Sequence, residues 1–449
     1  MSRAVDASRE LTRRQRVRAA VASMVGSSFE WGDYLLYGTA ASLVFPRLFF
    51  PTRNPLVGTL AAFSTFFIGF LARPIGALVF GHFGDRIGRK ATLITTLLMM
   101  GLSTAAIGLV PPYASVGILA PIALTVLRVV QGLGVAGEWG GAVLLTMEWS
   151  ENDRRGLAAS LPQIGGAVGL ILGNGSLLVL SGTLSNADFL AWGWRIPFLA
   201  SLVMAGVGLY LRLGVLETPV FARLLEERRI ERQPVRQVIV RQPAEIILSA
   251  LLRVGQQSVF YIFTTFVIAY GTGTLGLPRD LMLGAVLAAA GLTAFTTIFG
   301  GHLSDRVGRR RLYQVAIVLT AAIMFPYFWL LDTRVAALVV LAVLLSPIPQ
   351  DLQYGTQGAL ISESFTGRLR YSGASLGFQL ASIAGGAAPL VATYLLGTYH
   401  TSSAIALYVI ACLAISFLAV TALRDRSGVD HTVEYDATEA PRPAPAVSG

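Results

Sequence analysis

Long apolar stretches recur along the whole chain, for example at residues 91–110 and 335–345, and they constrain its fold more than any other feature. Hydrophobic residues make up 54% of the 449 residues and charged residues only 13%. A soluble domain carries about 25% charged residues, and roughly 20 consecutive apolar residues cross a bilayer as a helix. The pattern therefore excludes an ordinary soluble enzyme and predicts a polytopic helical protein embedded in a lipid bilayer.

The apolar stretches predict twelve transmembrane helices in an all-α fold. We place the helices at residues 17–45, 56–81, 91–110, 116–147, 157–180, 194–213, 244–271, 280–299, 312–331, 335–362, 371–396 and 403–423. The chain then divides into a cytoplasmic N-terminus (1–16), an N-terminal six-helix half (17–213), a charged cytoplasmic linker (214–243), a C-terminal six-helix half (244–423) and a disordered cytoplasmic tail (424–449).

The basic residues that give the chain its net charge of +10 are placed as membrane topology requires, and not as a binding surface would require. Most Lys and Arg residues lie in alternate gaps between apolar stretches, and loops rich in these residues stay in the cytoplasm. We therefore predict a multi-pass protein of the cytoplasmic (inner) cell membrane with both termini in the cytoplasm. A nucleic-acid partner is not expected, because such proteins collect basic residues on one folded face. One cysteine and four scattered histidines predict no disulfide, metal site or cofactor.

An internal repeat is the strongest sign of organisation. The sequence Gly-His-Phe-Gly-Asp-Arg-Ile-Gly-Arg-Lys at 81–90 returns as Gly-His-Leu-Ser-Asp-Arg-Val-Gly-Arg-Arg at 301–310. In both halves a glutamate then stands seven residues before an arginine, Glu148 before Arg155 and Glu363 before Arg370. The repeat indicates two parallel halves, which suit a protein that rocks about a central site.

The repeated loops predict a gate on the cytoplasmic face. Their glycines allow tight turns, and their charged residues can form and break pairs with the ends of neighbouring helices. An alternative is that they only fix the topology. The gate candidates are Gly81, Asp85, Arg86, Gly88, Arg89, Glu148 and Arg155, and in the other half Gly301, Asp305, Arg306, Gly308, Arg309, Glu363 and Arg370.

Carboxylates inside the predicted spans indicate proton coupling. Glu30 and Asp33 lie three residues apart on one helical face, and ionisable residues at membrane depth are costly and mark function. Two neighbouring carboxylates repel, so one can hold a proton. Glu138 in the fourth span is a further candidate. The alternative for Glu30 and Asp33 is an internal ion pair with Arg128 or Arg73.

Positive and polar side chains inside other spans indicate a site for an organic anion. Arg73, Arg128 and Arg253 suit a carboxylate, and polar residues at helical spacing line either the cavity or a helix contact. Arg195 fits membrane anchoring as well as it fits binding. The remaining candidate substrate-binding residues are Gln257, Tyr261, Asp351, Tyr354 and Gln379.

The doubled Asp-Arg-x-Gly-Arg loops are similar to the signature of the major facilitator superfamily. Five further motifs resemble its metabolite:proton symporter family: Phe-Glu-Trp-Gly-Asp-Tyr at 29–34, Ala-Arg-Pro-Ile-Gly at 72–76, Gly-Glu-Trp-Gly-Gly at 137–141, Trp-Gly-Trp-Arg-Ile-Pro-Phe at 192–198 and Glu-Thr-Pro-Val-Phe at 217–221. Gly-Leu-Pro-Arg-Asp at 276–280 and Arg-Tyr-Ser-Gly at 370–373 look nearest to shikimate transporters. The resemblance covers residues 17–423.

The resemblance implies the major facilitator fold and a secondary active transporter that works by alternating access as a monomer. Its substrate would be a small organic anion, such as shikimate or a dicarboxylate, carried together with protons. A zwitterion such as betaine or proline is the alternative substrate, and a non-transporting membrane sensor is a remote alternative. No catalytic cluster and no Gly-x-x-x-x-Gly-Lys-[Ser/Thr] motif occurs, so neither an enzyme nor ATP drive is expected.

Overall fold

The computed structural model describes residues 2–87, 89–135, 154–213, 234–365 and 369–424, and between 136 and 153 only residues 139, 143, 144, 146, 147 and 150. These parts of the chain contain helices and no strand. Nine of the described helices are long and apolar enough to cross a membrane, and the apolar helices Ile94–Leu109 and Leu119–Val135 are shorter.

Twelve long helical segments are present in the described residues, which confirms the predicted all-α fold. The first six are α1 (Ser2–Leu43), α2 (Pro55–Ile87), α3 (Arg89–Leu109), α4 (Leu119–Val135), α5 (Ile164–Thr183) and α6 (Arg195–Leu213). The second six are α7 (Pro243–Tyr261), α8 (Arg279–Val307), α9 (Arg309–Asp332), α10 (Ala336–Leu345 with Pro347–Glu363), α11 (Arg370–Tyr399) and α12 (Ser402–Ala422).

Among the departures from the predicted bounds, two follow from backbone geometry. The fourth predicted span starts at residue 116, but Gly117 has φ +59°, so the short helix Tyr113–Val116 ends there and α4 begins at Leu119. In the second half, α7 continues through two π-helical turns, Ile262–Phe266 and Tyr270–Thr274. Such wide turns in otherwise regular helices are common at functional sites.

Small residues set the closest helix contacts. A Cβ atom on Gly169 of α5 would lie 2.5 Å from the backbone nitrogen of Gly32 on α1, and one on Gly132 of α4 would lie 2.1 Å from the carbonyl oxygen of Gly69 on α2. Only glycine permits backbones to approach this closely within a membrane. Between the halves, α2 packs on α11 and α5 packs on α8, so these four helices frame the interface that holds the polar side chains.

Candidate functional site

Two arginines of the N-terminal half share one tyrosine ring. Arg73 of α2 and Arg128 of α4 are buried, and their guanidinium carbons lie 3.8 and 3.9 Å from the ring centroid of Tyr34 on α1. All three guanidinium nitrogens of Arg73, and Nε and Nη2 of Arg128, have no hydrogen-bond acceptor among the described residues. An aromatic face stabilises a cation only in part. The two neighbouring guanidinium groups are therefore well placed to bind an anion together.

A glycine lets Arg128 lie against the backbone of α2. A Cβ atom on Gly69 would stand 2.7 Å from Nε and 2.8 Å from Cγ of Arg128, which is closer than real atoms pack. The absence of a side chain at this position thus fixes where the guanidinium group lies.

Asp33 is connected to Arg128 through a chain of hydrogen bonds. The hydroxyl of Thr104 on α3 donates to Oδ2 of Asp33 at 2.6 Å, and Nε2 of Gln131 donates to the same hydroxyl oxygen at 2.7 Å. Nη1 of Arg128 in turn donates to Oε1 of Gln131. Asp33 and Arg128 are thus linked through two neutral side chains rather than by a direct ion pair. A change in the charge of one therefore alters the stability of the charged form of the other.

Glu30 lies one helical turn before Asp33 and is likewise buried. Its charge acts on the guanidinium group of Arg73. The helix α1 therefore brings Glu30 and Asp33 close to the arginine pair.

The C-terminal half contributes Tyr261 and Gln257 of α7 to the same region. The Tyr261 ring packs edge-on against Phe66 and Phe70 of α2, with centroids 5.5 and 5.2 Å apart. Its hydroxyl and both amide atoms of Gln257 are buried and have no hydrogen-bond partner among the described residues. Gly385 of α11 lies against both side chains, because a Cβ there would stand 3.0 Å from each. Unsatisfied polar groups from the two halves therefore face one interface.

Arg253 of α7 uses its donors within the C-terminal half. Nη1 donates to the carbonyl oxygen of Phe378 on α11 at 2.8 Å, and Nε donates to Oε1 of Gln357 on α10 at 3.3 Å. The guanidinium carbon also lies 3.2 Å from the Phe378 ring centroid, and the ring of Trp139 from the other half stacks on Phe378 at 3.7 Å. One nitrogen, Nη2, is left without an acceptor among the described residues.

The polar residues of α10 are buried beside aromatic rings. Oδ2 of Asp351 accepts a hydrogen bond from Thr296 of α8 at 2.5 Å. Tyr354 stacks on Phe260 with centroids 6.4 Å apart and meets Trp31 of α1 edge-on at 6.2 Å. The carbonyl of Tyr354 and the side chain of Gln357 both bond to Gln163, ahead of α5. Gln379 of α11 is buried as well.

A small cavity lies between α5, α7, α8 and α10. Its volume is about 30 Å³, which is room for about one or two water molecules. Its walls are apolar except at a few side chains of α7, α8 and α10, namely Thr264, Thr293, Ser346, Gln350 and Tyr354. An organic molecule does not fit, so binding one requires the halves to move apart.

The halves are joined at the end that carries the repeated loops, which we call the basic end. Oδ1 and Oδ2 of Asp305 accept hydrogen bonds from the backbone N–H groups of Gly156 and Leu157, at 2.8 and 2.9 Å. Arg309 binds Asp305 at 3.2 Å and Glu363 at 2.8 Å. Asp305 therefore caps the first turn of the other half's helix Arg155–Ser160, where a negative charge is favourable.

The halves also meet at the opposite end. The hydroxyl of Ser181 on α5 donates to Oδ1 of Asp280 on α8 at 2.7 Å, and that of Ser42 on α1 donates to the carbonyl of Thr265 in the first π-helical turn at 3.0 Å. The guanidinium group of Arg279 covers the ring of Phe189 at 4.3 Å. The halves are therefore in contact at both ends.

Comparisons with known proteins agree with this architecture. A family model described as Major Facilitator Superfamily matches residues 34–378. The chain belongs to the major facilitator superfamily. It is 39% identical over 416 residues to the shikimate transporter of Escherichia coli (strain K12), covering 91% of this chain and 94% of the relative. It is also 30% identical over 387 residues to the proline/betaine transporter of the same organism, covering 84% and 77%. The predicted resemblance is confirmed.

Solved structures of the superfamily share the fold. A D-xylose–proton symporter superposes with a TM-score of 0.71 at 16% identity, covering 92% of this chain and 98% of that one. A partially occluded, inward-open structure of the Escherichia coli xylose transporter gives a TM-score of 0.70 at 16% identity, covering 93% and 100%. The chain is thus a membrane-spanning transporter of the major facilitator fold.

Several predicted site residues of this superfamily member lie outside the described part of the chain. Glu138, Gly88 and Glu148 are not described, and for Gly81, Asp85, Arg86 and Arg89 only the backbone is described, in α2 and α3. Among the other gate candidates, Gly301 lies in the last turns of α8, Gly308 directly follows that helix, and Arg306 is exposed. The charges of Arg155 and Arg370 both act on the carboxyl group of Glu363.

Sequence reasoning missed the neutral members of the site. Thr104, Gln131 and Tyr34 connect the predicted charges, yet threonine, glutamine and tyrosine are common in helices of any kind. Gln131 had one usable signal, because it follows Arg128 by three residues and so shares its helix face. Arg195, for which anchoring and binding were both open, donates to the carbonyls of Gly108 and Val110 and so caps the end of α3.

Proposed function

We propose that this transporter is a proton-coupled symporter that imports a small organic anion bearing a carboxylate. The observation that carries the proposal is the arginine pair: guanidinium nitrogens of Arg73 and Arg128 are buried at the interface between the halves and have no acceptor among the described residues. Such donors are costly unless an acceptor arrives, and a carboxylate supplies charged acceptors that both groups can share.

The chain of hydrogen bonds from Asp33 to Arg128 gives a route for coupling. When a substrate carboxylate neutralises Arg128, the ionised form of Asp33 loses part of its stabilisation and gains a proton. When the substrate leaves, Arg128 again favours the ionised acid, and the proton is released. Substrate and proton are therefore expected to bind together and to leave together.

Alternating access would follow from the two sets of contacts between the halves. Breaking the Asp305 contacts opens the basic end, and breaking the contact between Ser181 and Asp280 opens the opposite end. We place the basic end in the cytoplasm, together with both termini, because Lys and Arg are concentrated there. The active unit we propose is a monomer, since the site is assembled from the two halves of one chain.

The alternative substrate is a zwitterion such as betaine or proline. One feature favours it: the rings of Trp31, Phe260 and Tyr354 pack together beside the cavity, and aromatic faces can hold a quaternary ammonium group. The relatives favour the anion, because the proline/betaine transporter is less similar than the shikimate transporter.

The test is uptake by proteoliposomes that contain the purified protein. Labelled shikimate, succinate and glycine betaine are offered with an inward pH gradient, with and without a protonophore. We expect accumulation of a carboxylate that stops when the protonophore collapses the gradient. Undiminished uptake with the protonophore, strict dependence on sodium, or accumulation of betaine alone would contradict the proposal.

A further inference from the structure

A second acid is buried in the C-terminal half, away from the arginine pair. Asp351 of α10 has no solvent-exposed surface. Its Oδ2 contacts the hydroxyl of Thr296, and its Oδ1 has no hydrogen-bond donor among the described residues. Thr293, one helical turn before Thr296 on α8, also lies within reach of the carboxyl group.

Asp351 has no cation beside it in the described part of the chain. No described Lys, Arg or His nitrogen lies within 4.0 Å of its oxygens. Tyr354, one turn further along α10, is its titratable neighbour. The other charged and titratable groups with described side chains on the elements packed against α10 are Arg155 ahead of α5, Glu245, Arg253, Tyr261 and Tyr270 on α7 and its π-helical continuation, Arg279, Asp280, His302, Asp305 and Arg306 on α8, Arg309, Arg310, Arg311, Tyr313, Tyr327 and Asp332 on α9, and Arg370, Tyr394 and Tyr399 on α11.

The surroundings favour the neutral acid. An ionised carboxylate buried without a counter-charge is costly, because neither water nor a cation compensates for its desolvation. The hydroxyl of Thr296 carries one proton, and the carbonyl of Leu292, at 3.1 Å, can accept it. The hydroxyl oxygen can then accept a hydrogen bond from a protonated Asp351. The contact at Oδ2 is therefore satisfied when Asp351 carries a proton.

The cavity gives a proton a way to reach this acid. Thr293 and the neighbours of Asp351 on α10, Gln350 and Tyr354, line the cavity, whose volume of about 30 Å³ suits water. When the halves part, Asp351 can exchange a proton with water in the widened cavity. When they close, the proton stays on Asp351, away from bulk water.

We propose that Asp351 is a second proton-binding site, so that two protons cross the membrane with each substrate. The inference rests on the proposed function, to which it adds a stoichiometry. Asp33 carries one proton in the N-terminal half and Asp351 the other in the C-terminal half. A monocarboxylate that enters with two protons also brings in one net positive charge.

The experiment measures how far labelled shikimate accumulates in proteoliposomes at equilibrium, with the membrane potential held at zero by potassium and valinomycin. A tenfold concentration ratio corresponds to about 1.4 kcal/mol, so each coupled proton gives about tenfold accumulation per pH unit of gradient. We expect about 100-fold per unit for the wild type and about tenfold for Asp351→Asn. The matched control is Asp332→Asn, because Asp332 also accepts hydroxyl hydrogen bonds but lies at the exposed end of α9, and it should keep the wild-type slope.

A second readout is the response to membrane potential. An inside-negative potential should raise wild-type accumulation, whereas Asp351→Asn carries no net charge with a monocarboxylate and should not respond. A wild-type slope of about tenfold per unit overturns the inference, whatever the variants do, and leaves the proposed function standing. An unchanged slope in Asp351→Asn also overturns it. A wild type whose accumulation ignores the pH gradient contradicts the proposed function itself.

Discussion

The two halves each bury an aspartate on a helix that borders the interface, but they surround it differently. Asp33 reaches the cation Arg128 through two neutral side chains. Asp351 contacts threonine hydroxyls, and every described cation lies more than 4.0 Å from its oxygens. Both acids accept a hydrogen bond from a threonine on a neighbouring helix, so the difference lies in the charges beyond that first contact.

The arginines differ in the same way between the halves. Within the described part of the chain, Arg73 and Arg128 keep nitrogens that have no acceptor, whereas two of the three guanidinium nitrogens of Arg253 donate to Phe378 and Gln357. We therefore expect the two halves to have different roles in binding. The N-terminal half would recognise the anion, and the C-terminal half would supply neutral polar contacts.

Replacing Arg128 should weaken substrate binding most. Arg128→Gln removes charge-assisted hydrogen bonds to a desolvated carboxylate, which contribute about 1.5–3 kcal/mol, so affinity should fall roughly 10- to 150-fold. Equilibrium binding of labelled carboxylate measures the effect. Arg53→Gln, an exposed arginine before α2, is the control and should bind normally. If Arg253→Gln weakens binding more than Arg128→Gln, the two halves have the opposite roles.

Replacing Asp33 should remove one coupled proton. Asp33→Asn keeps the volume and can still accept from Thr104, but it cannot titrate. For each pH unit of gradient, the accumulation ratio of the variant should be about tenfold lower than that of the wild type. Exchange between equal substrate pools on the two sides of the membrane should continue. Counterflow and net uptake in the same vesicles separate the two effects. Normal net accumulation in Asp33→Asn would place this proton on another group, with Glu30 and Glu138 as the next candidates.

Replacing Asp305 should slow turnover more than it weakens binding. Asp305→Asn can no longer accept both backbone N–H groups of Gly156 and Leu157, so the arrangement closed at the basic end becomes less stable. A hydrogen bond to a charged group contributes about 1.5–3 kcal/mol, and the asparagine at position 305 would still offer one oxygen acceptor. We therefore expect a loss of about half that energy, which lowers turnover roughly three- to tenfold. The comparison of counterflow rate with equilibrium affinity tests this. A loss of affinity with normal turnover would make Asp305 a ligand rather than part of a gate.

Adding a methyl group at Gly69 should have the smallest effect. Gly69→Ala places a Cβ against Nε of Arg128, and overpacking of this kind costs about 1–3 kcal/mol unless the side chain shifts. A shifted Arg128 should bind substrate a few-fold more weakly. Gly182→Ala on α5, where a Cβ meets no atom within 4 Å, is the control. Equal affinity in both variants would show that the position of Arg128 is not set by α2.

The sequence predicted the helices well because membrane thickness fixes their length and leaves few alternatives. At two boundaries a local backbone feature made the prediction wrong: Gly117 turns the chain before α4, and the π-helical turns of α7 leave no clear pattern in the sequence. The buried charges Asp33 and Arg128 were also identifiable, since an ionisable residue within an apolar run stands out.

The connections between the charges were not predictable in the same way. The sequence suggested a direct ion pair as the alternative to a proton site, whereas Thr104 and Gln131 lie between the acid and Arg128. Which neutral side chain faces a charge depends on how α1, α3 and α4 rotate against one another. A single sequence does not determine those rotations.

The contact at the basic end has a consequence for how this sequence can vary. The donors to Asp305 are the backbone N–H groups of Gly156 and Leu157, which every amino acid except proline retains. In the N-terminal half, the side chain at position 157 can therefore change in size or polarity without removing a donor. Position 156 is restricted for a different reason, because a Cβ there would stand only 2.4 Å from Oγ of Ser304. On the C-terminal side, only an acid can accept both bonds with its charge intact. Proline at 157 is thus the one substitution there that deletes a bond outright.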